Sequence, residues 1–269
     1  MADRISSCFE ALKKQRRAAL IPFIMGYDPD AATTAALLDA LPAAGADLIE
    51  IGMPFSDPMA DGPVIQAAGK RALAAGATVS GILELVRGFR KKHAAVPIIL
   101  MGYFNPVYRY GSETFCKGAA QAGVDGIILV DLPPEEEQEI RLYLDASGLK
   151  LIRLVAPTSD DNRLPLLAKS ASGFVYYISI TGITGAKAAN AGALKSQIDH
   201  VRRFTTLPVA VGFGIKTAQQ VKEAAQFCDA VVVGSALVDL ISKQKGKTAA
   251  VNAASRFVSE LAEGVINNN

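Results

Sequence analysis

The sequence predicts an α/β protein of the (β/α)8 type, a TIM barrel in which residues 1–269 form a single domain with an extra helix before the first strand. Two observations indicate this fold. Half of the 269 residues are hydrophobic, which supplies one large core, and eight short runs rich in Val, Ile and Leu alternate with helix-like segments. An open doubly wound sheet is the alternative, but it would usually need fewer strands or a second domain.

Two repeated patterns mark six of the eight predicted strands, and their nearly continuous apolar runs suit parallel strands that are covered on both faces. In the first pattern a proline precedes an apolar run that ends in glycine and an aromatic residue, and in the second an aspartate precedes the run. The first pattern covers 20–27, 96–103 and 207–214, and the second covers 46–52, 124–131 and 228–235. Residues 150–157 and 173–180 supply the other two strands.

Helix-like segments separate these runs, so that strand and helix alternate along the chain. The extra helix covers 4–16, and a final helix after the last strand covers about 248–263. The segments between strands are 30–44, 63–92 with a break near Gly76, 111–122, 134–147, 161–171, 193–204, 217–227 and 235–244.

Composition narrows the classes of partner and compartment. A net charge of +2, with the basic residues scattered, argues against nucleic-acid binding. The three cysteines are widely spaced, which suits a reducing compartment. The N-terminal residues lack an apolar signal core, and no apolar run approaches the roughly 20 residues of a membrane span. We therefore expect a cytoplasmic protein with neither a nucleic-acid nor a membrane partner.

The acidic stretch 50–62 follows the second predicted strand, at the barrel end where function is expected. Side chains alternate along a strand, so Ile49 and Ile51 suit the helix-facing side and Glu50 then points into the top of the barrel. A carboxylate there has either a basic partner or a chemical task. Asp61 has a second interpretation as the N-cap of the next helix, because proline follows in the first turn.

Three glycine-rich loops converge on the same face, after the predicted sixth, seventh and eighth strands: 181–185, 212–217 and 234–237. Glycine permits close backbone approach, and a helix N-terminus attracts an anion. Phosphate sites in such barrels often use the last two of these loops. The three loops together predict a phosphorylated ligand.

The residues missing from this face limit the chemistry. The two histidines lie on helical segments that lead into strands, and no lysine ends a strand. A Schiff base and a histidine-ligated metal therefore lack their residues, and we expect no metal. Catalysis would use carboxylates as general acid and base, which can break a carbon–carbon bond only if the substrate supplies its own electron sink.

Motifs along essentially the whole chain resemble those of the tryptophan synthase α subunit family. The most specific is IEIGMPFSDPMADG, residues 49–62. The others follow in order as PFIMGYDPD, LMGYFNPVY, GVDGIILVDLP, the S-x-x-G-I-T-G of 179–185, VGFGI and VVVGSALV. The segment 185–196 and Met101 depart from the usual family pattern.

The resemblance implies cleavage of indole-3-glycerol phosphate to indole and glyceraldehyde 3-phosphate, with the indole ring as the electron sink. Glu50 would be the acid and base, Asp61 would accept the indole N–H, and Thr184 would close over Asp61. Backbone groups of Gly185, Gly214, Gly234 and Ser235 would bind the phosphate. The apolar wall around indole would consist of Phe23, Ile65, Met101, Tyr176 and Phe213.

The resemblance also implies a partner, a β subunit that carries pyridoxal phosphate, in an αββα complex; the chain itself would need no cofactor. The loop 53–60 and the segment 105–108 would form the interface. Three other hypotheses stay open: a free-standing lyase that releases indole, a sugar-phosphate isomerase or epimerase, and a non-catalytic barrel that binds a phosphorylated ligand and regulates a partner.

Overall fold

The computed structural model describes residues 3–178, 187–212 and 214–266. Its strands are β1 (Ala19–Met25), β2 (Ile49–Gly52), β3 (Ile98–Gly102), β4 (Gly126–Leu129), β5 (Lys150–Leu151), β6 (Arg153–Val155), β7 (Val175–Ile178), β8 (Val209–Gly212) and β9 (Ala230–Val233). The order in the sheet is β5-β4-β3-β2-β1-β9-β8-β7-β6, and the pairings are parallel.

The barrel closes through the run that contains β5 and β6. These two segments are halves of one predicted strand, separated at Ile152. The first half pairs with β4 and the second with β7, so the same run joins both edges of the sheet. The nine described segments therefore make eight barrel strands, and the predicted (β/α)8 fold is confirmed.

The helices are α1 (Arg4–Lys14), α2 (Ala31–Ala40), α3 (Pro63–Ala74), α4 (Val79–Arg90), α5 (Phe104–Tyr110), α6 (Ser112–Ala122), α7 (Gln138–Ser147), α8 (Arg163–Ser170), α9 (Lys187–Val201), α10 (Ala218–Ala225), α11 (Ser235–Ser242) and α12 (Lys247–Ile266), with a 3₁₀ turn at Pro134–Glu136. In the described ranges, no helix alone is long and apolar enough to cross a bilayer; α3 and α4 pass only as a pair bent by 95°.

Two predicted helix assignments are wrong. The helix expected over 193–204 is α9, whose described residues are Lys187–Val201, so it already includes residues before 193 and ends before 204. The segment 105–108 lies outside the predicted helices, but it belongs to α5. Pro106 is tolerated there because it occupies the first turn, where its missing N–H has no helical partner.

Side chains alternate along every barrel strand and divide the core into two layers. Outward residues pack under the helices, among them Ile49 and Ile51 as predicted. Inward residues of the barrel form a separate cluster with α1, which covers the N-terminal end: Ile5, Phe9, Leu12, Ala19, Ile21, Leu48, Ile99, Ile128, Ile152, Phe174, Ala210, Ala230 and Val232. The extra N-terminal helix is thus the floor of the barrel.

A polar side chain lies just before every second of the eight barrel strands, namely β2, β4, β7 and β9, and it hydrogen-bonds to the start of the preceding barrel strand. In each case the side-chain oxygen accepts the N–H of a residue at the start of the preceding strand, and its own N–H returns to the carbonyl of that residue. The four pairs are Asp47 with Leu20 (2.9 Å), Asp125 with Ile98 (2.8 Å), Ser172 with Leu151 (2.8 Å) and Asp229 with Val209 (2.8 Å). The repeated aspartates of the sequence therefore fix strand register.

Asp125 is the most buried of these carboxylates, with a side chain that is 6% exposed. Besides the Ile98 amide it accepts hydrogen bonds from Arg90 at 2.6 Å and from Arg4 at 2.8 Å. These partners come from α4 and α1, so one carboxylate joins two helices to the N-terminal ends of β3 and β4.

We predict that Asp125→Ala lowers the free energy of unfolding by about 3–5 kcal/mol, because it strands a buried guanidinium and an amide. The matched control is Asp229→Ala, which removes the same kind of amide acceptor from a site where the aspartate is 41% exposed and Arg202 is 40% exposed. That change should cost about 1–2 kcal/mol. Urea unfolding measures both, and equal losses would contradict the assigned role of Asp125.

Candidate active site

The C-terminal end of the barrel interior brings together five of the predicted site residues. Register places Phe23 beside Glu50 on neighbouring strands. Phe23 belongs to a buried apolar cluster, and Ile65 and Met101 both pack against it. Met101 and Tyr176 both pack against the inward cluster of the barrel, and burial together with the charge on Glu50 raises the pKa of Tyr176. These side chains therefore lie close together at the mouth of the barrel.

Glu50 is buried in this apolar surrounding, with 2% of the residue exposed. Burial withdraws the carboxylate from water and raises the pKa of Glu50 to about 8. Burial also raises the pKa of Tyr176, and the charge on Glu50 adds to that effect. The carboxyl group of Glu50 is therefore protonated at neutral pH, as a general acid must be.

Asp61 is half-buried on the loop that joins β2 to α3. Burial raises its pKa, whereas a hydrogen bond with the Tyr103 hydroxyl acts in the opposite direction. The interpretation of Asp61 as an N-cap is wrong, because Gly62 occupies the N-cap position and Pro63 the first helical position. Since the glycine supplies the extended backbone that a helix start needs, the Asp61 carboxylate does not serve as the cap of α3.

Two glycines at strand ends make room for the aromatic walls of this site. A Cβ on Gly52 would lie 2.6 Å from Cζ of Phe23, and a Cβ on Gly212 would lie 2.2 Å from the hydroxyl oxygen of Tyr176. Any larger residue at these positions would displace a ring. The sequence contains both glycines, but only the packing reveals what they accommodate.

The predicted phosphate residues that the structure describes lie at the ends of β8 and β9. Gly214 has a φ of +75°, a conformation that favours glycine. Gly234 precedes α11 and Ser235 begins it, and no side chain in the described residues caps this helix end. The first N–H groups of α11 are therefore available to an anion. The predicted site residues Thr184, Gly185 and Phe213 lie outside the described residues.

Comparison with known proteins gives one consistent result. A sequence model described as tryptophan synthase alpha chain matches residues 9–266. Two relatives are described as tryptophan synthase alpha chain. The one from Gluconacetobacter diazotrophicus is 57% identical over 236 residues, which cover 88% of this chain and 86% of the relative. The one from Caulobacter sp. strain K31 is 56% identical over 239 residues, which cover 89% of this chain and 87% of the relative.

Solved structures agree with the sequence relatives. Tryptophan synthase subunit alpha from Legionella pneumophila is 39% identical with a TM-score of 0.91, covering 99% of this chain and all of the other. Ligand-free tryptophan synthase from M. tuberculosis is 34% identical with a TM-score of 0.87, covering 97% and 98%. The chain belongs to the tryptophan synthase alpha chain family. The matched range, residues 9–266, spans the positions of all twelve predicted site residues.

Sequence reasoning missed two residues of this alpha chain, Tyr103 and Asp131. The hydroxyl oxygen of Tyr103 accepts the N–H of Ala60 at 3.0 Å, and the Phe55 ring packs on Tyr103 with centroids 5.4 Å apart. The Asp131 carboxylate accepts the N–H of Phe104 at 2.8 Å. The sequence shows an aspartate at this strand end, but its local pattern indicates only the start of the helix that follows it.

The part of the chain that the structure describes contains no set of side chains that could bind a metal ion. Its His, Cys, Asp and Glu side chains form no group of three or more that could hold an ion.

The raised pKa of Glu50 predicts how Glu50→Gln changes stability with pH. Between pH 4.5, the ordinary pKa of Glu, and about pH 8 the unfolded chain loses a proton that the native protein keeps, so wild-type stability falls as pH rises. The glutamine variant has no such loss. We expect the stability of Glu50→Gln relative to wild type to rise by roughly a few kcal/mol across this window and to level off above it.

Urea unfolding of both proteins between pH 5 and pH 9 measures this difference. The amide side chain of Glu50→Gln is uncharged throughout, so this variant also reports the pH dependence of all other groups. A difference between the two proteins that stays constant over the window would show that Glu50 titrates near its ordinary pKa.

Proposed function

We propose that Glu50 and Asp61 are the acid–base pair with which this chain cleaves indole-3-glycerol phosphate to indole and glyceraldehyde 3-phosphate. The activity itself follows from membership of the family, whose members are lyases of tryptophan biosynthesis. The observation that supports the assignment is a carboxyl group buried at the barrel mouth, beside an apolar wall and with a pKa of about 8.

Protonated Glu50 gives its proton to C3 of the indole ring, which becomes an indolenine whose ring nitrogen is an electron sink. The Asp61 carboxylate accepts the N–H and stabilises the positive charge that develops there. Ionised Glu50 then removes the proton of the side-chain hydroxyl. The carbonyl of the aldehyde forms, the carbon–carbon bond breaks, and its electrons restore the indole ring. One buried carboxyl therefore serves as acid and then as base.

The remaining predicted residues hold the substrate. We propose that Phe23, Ile65, Met101, Tyr176 and Phe213 form the apolar wall around indole. Gly185, Gly214, Gly234 and Ser235 bind the phosphate through backbone N–H groups, and Thr184 closes over Asp61. The uncapped start of α11 supports the phosphate assignment, since a helix N-terminus with free N–H groups favours an anion.

We predict that Glu50→Gln and Asp61→Asn each lower kcat for indole formation by about 10²–10⁴-fold while the protein stays folded, because each removes one positioned carboxyl group. Glu50→Gln should cost more, since Glu50 serves both proton transfers, whereas Asp61→Asn removes the negative charge that stabilises the indole N–H. The measurement is indole released from indole-3-glycerol phosphate by purified chain, with circular dichroism to verify folding. Near-normal turnover of folded Glu50→Gln would refute the mechanism.

The partner of this alpha chain is a β subunit that carries pyridoxal phosphate, and the alpha chain of this family carries no cofactor of its own. We propose that the loop 53–60 and the segment 105–108, which lies in α5, form the interface. The loop exposes 78% of Met59, and α5 exposes 60% of Tyr108, although both side chains are large and apolar.

We also propose that residues 1–269 form one domain and that the protein is cytoplasmic.

We predict that a matching β subunit accelerates indole formation by the isolated chain. The loop joins Glu50 to Asp61, so a partner that docks on it changes the position of Asp61, and a misplacement of about 1 Å can cost roughly a hundredfold in rate. Steady-state indole release is titrated with β subunit, and Pro58→Gly, which loosens the loop, should weaken the response. Full activity of the chain alone, unchanged by the β subunit, would identify a free-standing lyase.

A further inference from the structure

Helix α5 begins without a cap of its own. Its N-cap residue is Tyr103, whose side chain makes no capping hydrogen bond. A carboxylate from the next loop along the sheet takes that place, because Asp131 accepts the N–H of Phe104, the first residue of α5, at 2.8 Å. The two residues are 27 positions apart in the chain, so the cap couples the loops after β3 and β4.

The backbone on both sides of Asp131 is held in place. On one side the N–H of Val130 donates to the carbonyl of Gly102 at 3.0 Å. On the other side the buried Arg153 donates to the carbonyl of Leu132 at 2.6 Å. Arg153 is itself fixed by an ion pair with Glu137. The exposed carboxylate of Asp131 is thus carried by a rigid segment, which suits a positioning role.

The peptide group that Asp131 holds is bonded directly to the Cα of Tyr103. That tyrosine is buried, and its hydroxyl oxygen accepts the N–H of Ala60, the residue directly before Asp61, at 3.0 Å. Its ring also packs on Phe55 of the same loop. Orientation of the Tyr103 backbone therefore determines where the loop after β2 places Asp61.

We propose that Asp131 is a positioning residue for Asp61 that acts through Tyr103. This inference rests on the proposed function, because it gives Asp61 a role in the reaction. Without the carboxylate, the Tyr103–Phe104 peptide turns more freely, and the Tyr103 hydroxyl holds Ala60 and Asp61 less tightly.

Two substitutions at position 131 separate the hydrogen bond from the charge. Asp131→Ala removes the acceptor, and we expect kcat/KM for indole formation to fall by about ten- to a hundredfold, within the range for a displacement of up to about 1 Å. Asp131→Asn keeps an oxygen that can accept the Phe104 N–H, so it should restore kcat/KM to within about threefold of wild type.

Asp30→Ala is the matched control for the loss of an exposed capping aspartate. Asp30 caps α2 by accepting the N–H of Thr33 at 2.7 Å, on a helix outside the proposed site. Its removal should lower stability by an amount similar to Asp131→Ala and leave kcat/KM within about twofold of wild type. An equal kinetic loss in Asp30→Ala and Asp131→Ala would overturn the proposal.

A double-mutant cycle with Tyr103→Phe tests the route of the effect. If Asp131 acts through the tyrosine hydroxyl, Asp131→Ala should change kcat/KM by less than about twofold in the Tyr103→Phe background. The full loss in both backgrounds would overturn the proposal.

Amide hydrogen exchange provides a measurement that does not depend on catalysis. Asp131→Ala should speed exchange of the Ala60 amide at least several-fold, whereas Asp30→Ala should leave it unchanged. Unchanged exchange at Ala60 in folded Asp131→Ala would overturn the proposal. A wild-type chain that fails to release indole would instead refute the proposed function, and the exchange experiment would still report on the link between Asp131 and Ala60.

Discussion

The register of the barrel depends on one recurring interaction, the hydrogen bond from a backbone amide at the start of a strand to a side chain that begins the next strand. Asp47, Asp125, Ser172 and Asp229 make this bond in four successive pairs of strands. A slip of one residue would exchange the two faces of a strand. Because Asp47 lies three residues before Glu50, its bond to Leu20 helps decide that Glu50 faces the interior and Ile49 the helices.

That orientation raises the pKa of the Glu50 carboxyl group, and it also lowers the stability of the protein once the buried group ionises. The inward face of the barrel is almost entirely apolar around it, so the ionised carboxylate is poorly solvated and the group keeps its proton to about pH 8. A solvent-exposed carboxyl group on the outer rim would titrate near its ordinary pKa, so at neutral pH it would be ionised and would have no proton to give to carbon. The packing of β1, β2 and β7 thus accounts for the raised pKa of the proposed acid.

Asp61 depends on a different kind of support, from loops instead of strands. Its position is set by Tyr103 from the loop after β3, and that tyrosine is oriented by a carboxylate from the loop after β4. Three consecutive loops are therefore linked by two hydrogen bonds, one at the Ala60 amide and one at the Phe104 amide. This arrangement lets the loop after β2 remain exposed to a partner while its last residues stay tied to the site.

The sequence by itself determined the fold and half of the site. Its apolar runs alternate with helices, and the period of two along β2 places Glu50 inward, because both signals are local and repeat along the chain. The glycine loops likewise indicated an anion at the barrel mouth. The predicted metal-free acid–base chemistry required only residue types and strand ends.

Only the tertiary structure revealed that Gly62, and not Asp61, caps α3, that α5 exists, and that Asp131 caps it. It also showed that Tyr103 hydrogen-bonds to the loop after β2, and that Gly52 and Gly212 make space for Phe23 and Tyr176. The physical reason is distance along the chain. Tyr103 contacts a residue 43 positions away and Asp131 one 27 positions away, and such contacts leave no periodic trace in the sequence around either partner.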